Sequence, residues 1–121
     1  MFSKYYNVGT NRGSKRVWIE GQVLQNLGVS RGLKFNRQMS DNEMVLVFDG
    51  TGNHTVAGTV QRPIIDLNGN YLNDLFENAS VFYATFNSEE KTITILAIEG
   101  ENMLSARDLN KLLNKKQESK K

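Results

Sequence analysis

The chain has 121 residues, of which 39% are hydrophobic and 23% charged, and its net charge is +2. This length supports one compact domain with a single core, and the composition is typical of globular proteins and unlike that of disordered chains. Cysteine is absent, which excludes disulfides, thiolate metal sites and cysteine nucleophiles and predicts a reducing, cytoplasmic location.

Charge is distributed unevenly along the chain. Residues 1–48 contain seven Lys or Arg and three acidic residues, whereas residues 49–96 contain two basic and six acidic residues. The first segment therefore predicts a polyanionic partner, and the second predicts contact with a basic protein surface. No apolar run reaches the length of about 20 residues that a membrane-spanning helix needs, and the N-terminal residues do not resemble a signal peptide, so we expect no membrane contact.

Comparison of the chain with itself reveals an internal repeat. Residues 17–48 align with residues 65–96 without a gap. Ten pairs of positions are apolar in both copies: Val17/Ile65, Ile19/Leu67, Val23/Tyr71, Leu24/Leu72, Leu27/Leu75, Leu33/Val81, Phe35/Tyr83, Val45/Ile93, Val47/Ile95 and Phe48/Leu96. Because few residues are identical, the evidence for the repeat is this shared apolar periodicity.

Each copy predicts the same succession of elements. A short alternating strand leads to apolar residues at i, i+1 and i+4, which is typical of one buried face of a two-turn helix. A polar link and a second strand follow, and a turn rich in Ser, Asp, Asn and Glu then joins this strand to a third, MVLVF or TITIL. We therefore predict strand–helix–hairpin units at about residues 12–48 and 60–96.

The remaining segments predict connections and one further helix. Residues 49–53 are typical of a turn, and residues 55–60 predict a strand that leads to Pro63, which must lie at a strand start or edge. Residues 105–108 form a weak N-cap signal before Leu109, Leu112 and Leu113. We therefore expect residues 1–100 to form one β body and residues 101–121 to form a C-terminal helix with a basic tail.

The first copy resembles a known family of DNA-binding proteins. The run Arg16-Val17-Trp18-Ile19-Glu20-Gly21, then Leu24, Leu27-Gly28-Val29, Gly32 and Phe35, followed by MVLVF, is similar to the AbrB/SpoVT/MazE pattern and closest to its SymE-like variant. Residues 12–48 match well and residues 62–96 more loosely. Two positions depart from the pattern: Glu20 replaces the usual proline, and Leu75-Phe76-Glu77 replaces Leu-Gly-Val in the second copy.

The resemblance implies a mainly β fold with short helices, in which two copies interleave their hairpins into one swapped-hairpin β-barrel. Since one chain holds both copies here, we expect a pseudo-twofold AbrB-like barrel that is complete in the monomer and is followed by a C-terminal helix. Association of such monomers into a higher oligomer is an open alternative. Neither unit alone is large enough to bury a core, which favours closure of the two copies on each other.

The function that the resemblance implies is DNA binding without a cofactor, as in transcriptional regulators and DNA-transaction accessory factors of bacteria or phages, with double-stranded DNA as the partner. Two alternatives stay open. The first is a protein-binding module, such as an antitoxin-like or phage-encoded inhibitor, that uses the acidic second copy. The second is a SymE-like toxin that acts on RNA.

The candidate nucleic-acid ligands are seven basic residues in the first copy and in the arm that precedes it. They are Lys4, Arg12, Lys15, Arg16, Arg31, Lys34 and Arg37. Lys and Arg contacts with phosphates supply most nonspecific nucleic-acid affinity, and Arg also reads guanine edges. Stacking of single-stranded bases on Tyr5, Tyr6 or Trp18 is a second hypothesis. For Trp18, packing of the ring on the β body is the favoured interpretation.

The sequence does not predict catalysis. His54 is the one histidine, and its Gly/Asn/Thr-rich surroundings indicate an exposed turn residue and not a general base. A metal site is not predicted, because cysteine and a second histidine are lacking and neighbouring carboxylates at hairpin turns are usually solvated. Residues 50–53 lack the Lys-Ser/Thr of a phosphate-binding P-loop. We therefore expect a binding protein with no catalytic residue, metal or cofactor.

Overall fold

The computed structural model describes residues 1–99 and 104–118, and this part of the chain is mainly β with three short helices. The strands are β1 (Phe2–Asn7), β2 (Gly9–Asn11), β3 (Ser14–Glu20), β4 (Lys34–Met39), β5 (Glu43–Val47), β6 (His54–Thr55), β7 (Ala57–Gly58), β8 (Pro63–Asn68), β9 (Ala79–Asn87) and β10 (Thr92–Glu99). The helices are α1 (Gln22–Leu27), α2 (Asn70–Leu75) and α3 (Ala106–Glu118). The predicted boundary at Gly100 and the end of the basic tail, residues 119–121, lie outside the described residues.

The strands form two antiparallel sheets. One has six strands in the order β1–β9–β10–β5–β4–β6, and the other has four in the order β2–β3–β8–β7. Within the described residues neither sheet closes on itself, so the predicted closed barrel is replaced by two open sheets. The physical reason is that β3 uses its two edges to pair with β2 and β8, and is therefore not hydrogen-bonded to the hairpin strands.

The first strand and the helix of each copy lie at equivalent places. Helices α1 and α2 begin and end at positions that the alignment of the two copies equates. Strands β3 and β8 pair with each other, and Trp18 faces Asp66, the same position of the other copy. Each helix follows its strand directly through a glycine with positive φ, Gly21 at 95° and Gly69 at 142°, a conformation that side chains with a Cβ rarely adopt.

The hairpins depart from the gap-free alignment by one residue. The alignment matches Val45 with Ile93 and Phe35 with Tyr83, but Val45 and Tyr83 are only half-buried, whereas Phe35 and Ile93 are buried in the core. The last residue pair of β4–β5 is Met39–Met44, and the last pair of β9–β10 is Asn87–Thr92. When the core-facing residues of the two hairpins are superposed, β9–β10 is longer than β4–β5 by one pair. Because side chains alternate along a strand, this single-residue shift exchanges the inner and outer faces.

One hydrophobic core lies between the two sheets. The inner face of the six-stranded sheet contributes large side chains, and the four-stranded sheet contributes aliphatic ones to the same cluster. Fully buried members from the first sheet are Phe35, Met44, Leu46, Phe82, Ile93 and Ile95, and those from the second are Val17, Ile19 and Ile65. Helices α1 and α2 add Leu24, Leu27, Leu72 and Leu75. No helix among the described residues has the length and apolar character needed to cross a membrane.

The C-terminal helix α3 packs on the edge strand β1. The Asn110 side chain accepts a hydrogen bond from the Tyr5 N–H at 2.7 Å and donates one to the Tyr5 carbonyl oxygen at 2.8 Å. At the helix start, Asn7 Oδ1 accepts the Ala106 N–H at 3.1 Å, and Ser105 Oγ accepts the Asp108 N–H at 3.3 Å. The predicted N-cap is therefore present, and α3 satisfies backbone groups on a strand edge that is otherwise unpaired.

The shift in the hairpins is tested by two leucines that the alignment treats differently. Leu46 is fully buried, whereas Leu96 lies half-buried on the outer face. Leu46→Ala should lower the free energy of unfolding by about 2–5 kcal/mol, because it leaves a cavity, and Leu96→Ala by only about 1 kcal/mol. Urea denaturation of both variants measures the difference. Equal losses in the two variants would contradict this difference in burial.

The docking of α3 is tested at Asn110. Asn110→Ala should destabilise the protein by about 1–3 kcal/mol, because it leaves the N–H and C=O groups of Tyr5 without partners. Amide hydrogen exchange of Tyr5, followed by NMR, should accelerate at the same time. Asn114→Ala, at an exposed position of the same helix, is the control. The docking is contradicted if the exchange of Tyr5 is the same in both variants.

Candidate nucleic-acid interface

Arg12 and Lys15 lie on the β2–β3 hairpin. Asn11 pairs with Ser14, so Arg12 and Gly13 form a two-residue turn, and both have positive φ as tight hairpin turns require. Arg12 is therefore exposed at the hairpin tip. The Lys15 N–H donates a hydrogen bond to Asn73 Oδ1 at 2.8 Å, which fixes the hairpin against α2.

Arg37 contacts the same helix from the other sheet. It lies opposite the buried Leu46 on the inner face of β4, at the rim of the core. Its guanidinium carbon lies 3.6 Å from the ring centroid of Tyr71, and Nη1 lies 2.7 Å from Nε2 of His54. Tyr71 and Asn73 both belong to α2, so the Lys15 backbone and the Arg37 side chain contact one helix.

Arg31 lies in the turn before β4, Lys34 is the first residue of this strand, and both are exposed. The turn before this strand is fixed by two backbone hydrogen bonds, from Gly32 N–H to the Val56 oxygen and from Val56 N–H to the Leu33 oxygen. Lys34 lies three residues before Arg37 on the same strand, so the two side chains point to opposite faces of the sheet. We define the basic patch as Arg12, Lys15, Arg31, Lys34 and Arg37.

Two of the predicted ligands are not part of this patch. Arg16 makes two hydrogen bonds to Asp66, at 2.8 and 2.9 Å, and its guanidinium carbon lies 4.3 Å from the Trp18 ring centroid. Hydrogen bonding to Asp66 raises the pKa of Arg16, which keeps it a bound cation. Lys4 lies on β1, separated from β4 by three strands, or about 19 Å at the usual strand spacing.

The aromatic candidates have different environments. Tyr6 stacks on Phe82, with ring centroids 5.2 Å apart, and burial raises its pKa to about 12. Tyr5 packs against Tyr83 at 4.6 Å. Trp18 is 39% exposed on the outer face of the four-stranded sheet, where Arg16 covers one side of its ring. The rings of Tyr5 and Tyr6 are thus engaged within the protein, and Trp18 projects from the sheet.

His54 differs from its predicted role as an exposed turn residue. It belongs to β6, pairs with Phe35, is half-buried, and its ring lies 5.2 Å from that of Phe35. Burial lowers the pKa of His54, and the positive charge of Arg37 lowers it further. Because arginine only donates hydrogen bonds, Nε2 is the acceptor and the proton of the neutral ring is on Nδ1.

The contacts that Tyr71, Asn73 and His54 make have no signal in the sequence. The apolar spacing predicts Tyr71 only as part of a buried helical stripe, yet Tyr71 covers the Arg37 guanidinium. Both partners of Arg37 are distant from it in the chain, and no local pattern links them. In the part of the chain that the structure describes, no group of three or more His, Cys, Asp or Glu side chains is arranged to hold a metal ion.

Comparisons of the chain with protein-family models, with curated proteins and with solved structures found no match. Function is therefore inferred from the residues of this chain alone.

The environment of His54 predicts a pH-dependent stability. The unfolded chain binds a proton at the ordinary pKa near 6.5, whereas the folded protein binds it only at lower pH. Protonation below pH 6.5 therefore favours unfolding, and the free energy of unfolding should decrease as the pH falls from there toward the folded-state pKa. His54→Gln should remove this component, which urea denaturation at pH 7.5 and 5.5 measures. Identical pH dependence in the two proteins would contradict the lowered pKa.

Proposed function

We propose that this protein binds duplex DNA through phosphate contacts made by the basic patch, without a cofactor. The observation that carries the proposal is that, within the described residues, no carboxylate lies within ion-pair distance of any cation of this patch. Unpaired cations at a protein surface are free to replace the counterions of a polyanion, and release of these counterions drives nonspecific DNA binding. A role as a transcriptional regulator or DNA-transaction accessory factor fits this activity.

We further propose that the fold is a single-chain relative of the AbrB-like swapped-hairpin proteins, with pseudo-twofold symmetry. Two strand pairings support this proposal. Strand β3 pairs with β8, its counterpart in the other copy, and β5 likewise pairs with β10. The two pairings are antiparallel and are centred on the Trp18–Asp66 pair and the Val45–Thr94 pair, as a twofold relation between the copies requires. In such an arrangement one chain supplies both halves, which supports a monomer as the binding unit.

A protein partner is the second candidate function. The exposed carboxylates of Asp74, Glu77, Glu89 and Glu90 in the second copy have no cation within ion-pair distance in the described part of the chain. These carboxylates, two at the end of α2 and two in the β9–β10 turn, suit a basic protein, as an antitoxin-like or phage-encoded inhibitor requires. The two candidates differ in the partner they predict, and one binding experiment separates them.

The DNA proposal is tested by removing four cations of the patch. The variant Arg12→Ala/Lys15→Ala/Arg31→Ala/Lys34→Ala should bind random duplex more weakly, and the slope of log affinity against log salt should become shallower by about 3 to 4. Gel-shift titrations at several salt concentrations measure both effects. Arg37 is kept, because its packing on Tyr71 gives it a structural role.

The matched control removes the same charge elsewhere. The control variant replaces four cations on β1, in the β7–β8 turn and on α3: Lys4→Ala/Arg62→Ala/Arg107→Ala/Lys111→Ala. It should retain most of the duplex affinity, and equal losses in the two variants would remove the patch as the interface. Parallel titrations with single-stranded DNA and RNA identify an RNA preference. Absence of binding to all three nucleic acids would overturn the DNA proposal in favour of the protein-binding one.

A further inference from the structure

A polar cavity of about 300 Å³ lies beside the half-buried end of the basic patch. It is lined by Asn36, Arg37 and Met39 of β4 and by Asn53 and His54 at the start of β6. The cavity exists because β6 has only two residues and pairs with β4 at Lys34 and Phe35. Beyond Phe35 the edge of β4 is uncovered, so Arg37 borders an open space that contains amide, guanidinium and imidazole groups.

Arg37 is a cation with hydrogen-bond donors to spare. Its guanidinium has five N–H donors, of which one is directed to His54, and one of its faces is covered by Tyr71. The group is half-buried, and none of the described carboxylates forms an ion pair with it. A partly desolvated cation without a counterion favours an incoming anion, and the planar fork of arginine suits the oxygens of a phosphate.

His54 provides a second group that gains from an anion. Its Nε2 accepts the Arg37 hydrogen bond, and its ring is held by Phe35 and by the β4–β6 pairing. Arg37 from β4 is the charged group that faces it, and Tyr71 of α2 lies on the other side of that guanidinium. An anion in the cavity offsets the charge of Arg37 and so makes protonation of the imidazole less unfavourable. While Nε2 accepts the Arg37 hydrogen bond, the ring donates only from Nδ1.

Hydrogen bonds hold one side of the cavity lining, Asn36 and the loop that leads to β6. Asn36 Nδ2 donates hydrogen bonds to the Thr51 carbonyl oxygen at 3.3 Å and to Thr51 Oγ1 at 3.1 Å. Thr51 is held in turn by Asp49 Oδ1, which accepts its N–H at 2.9 Å and its hydroxyl at 2.7 Å. Gly52 has φ of 118°, and a side chain there would collide with the Phe35 carbonyl oxygen and with Asn36. The loop therefore lies directly on β4.

We propose that this cavity is a phosphate-binding site, in which Arg37, held by Tyr71 and by the neutral ring of His54, donates hydrogen bonds to one phosphate group. The inference rests on the proposed function for its natural ligand, a backbone phosphate of bound DNA. The same chemistry is offered by the phosphate of a free nucleotide, so the two sources must be distinguished by experiment.

The single histidine of the chain makes the test specific. The imidazole resonances of His54 are followed by NMR against pH, in inorganic phosphate and in sodium chloride of matched ionic strength. Phosphate should shift these resonances saturably and raise the pKa of His54, because the anion stabilises the imidazolium. A response to chloride equal to that to phosphate would overturn the site.

Three variants complete the test. Arg37→Gln should weaken phosphate binding by about tenfold or more, because it removes the charge and most of the donors. Asn53→Leu should reduce binding by filling the cavity while leaving Arg37 and His54 in place, which keeps the test valid if the loss of Arg37 disturbs Tyr71. The control is Arg62→Gln, which removes a cation that is paired with Glu20 on the other sheet. This variant should bind phosphate as the wild type does. The site is refuted if Arg37→Gln and Asn53→Leu both retain the wild-type response.

Titrations with adenosine 5′-monophosphate and with duplex DNA separate the possible sources of the phosphate. Saturable responses to phosphate and duplex support both proposals. A duplex complex in the gel shift, with no specific phosphate response at His54, leaves the DNA-binding function standing and overturns the cavity site. Binding of phosphate and nucleotide without any binding of duplex supports the cavity site with a free nucleotide as ligand, and overturns the DNA proposal.

Discussion

The pairing of β5 with β10 is the contact on which the rest of the structure depends. It places Leu46 opposite Ile93 and Met44 opposite Ile95, and all four side chains are fully buried. Each hairpin alone has an unpaired edge and too little apolar surface for a core. Joined through these strands, the hairpins form one continuous face, against which the β3–β8 pair and the two short helices pack.

The two hairpins have equivalent inner strands, but their outer edges differ, and this difference creates the candidate site. Strand β1 covers β9 over six residue pairs, whereas β6 covers β4 over two. At corresponding places, Ala84 lies opposite Ile95 and is fully buried, while Arg37 lies opposite Leu46 and is only half-buried. Where the longer β1 covers β9, the position is occupied by the small apolar residue Ala84. Where the shorter β6 covers β4, there is room for the Arg37 side chain, which reaches Tyr71 and His54.

The two proposals share one physical basis, which is the incomplete neutralisation of positive charge. On the exposed part of the basic patch the cations are solvated, so their attraction to a polyanion is long-ranged and weakened by salt. At Arg37 the charge is partly removed from water and held between an aromatic ring and a neutral imidazole. An anion there gains more from each hydrogen bond, because the lower local polarity strengthens the interaction.

By itself, the sequence determined most elements of the fold: the mainly β character, the two short helices at equivalent positions of the copies, their buried leucines, the hairpins β4–β5 and β9–β10, and the C-terminal helix. It did not predict β1 and β2, which form where an N-terminal arm was expected. These follow from the spacing of apolar residues and from turn residues, which act over a few positions. It also identified the cations, five of which lie in the basic patch. Only the tertiary structure decided which face of each hairpin is buried, that the sheets stay open, and that Arg16 is paired with Asp66 while Arg37 meets His54 and Tyr71. Register and ion pairing depend on contacts between residues distant in the chain, where a shift of one residue reverses a strand's faces and no local pattern records the partner.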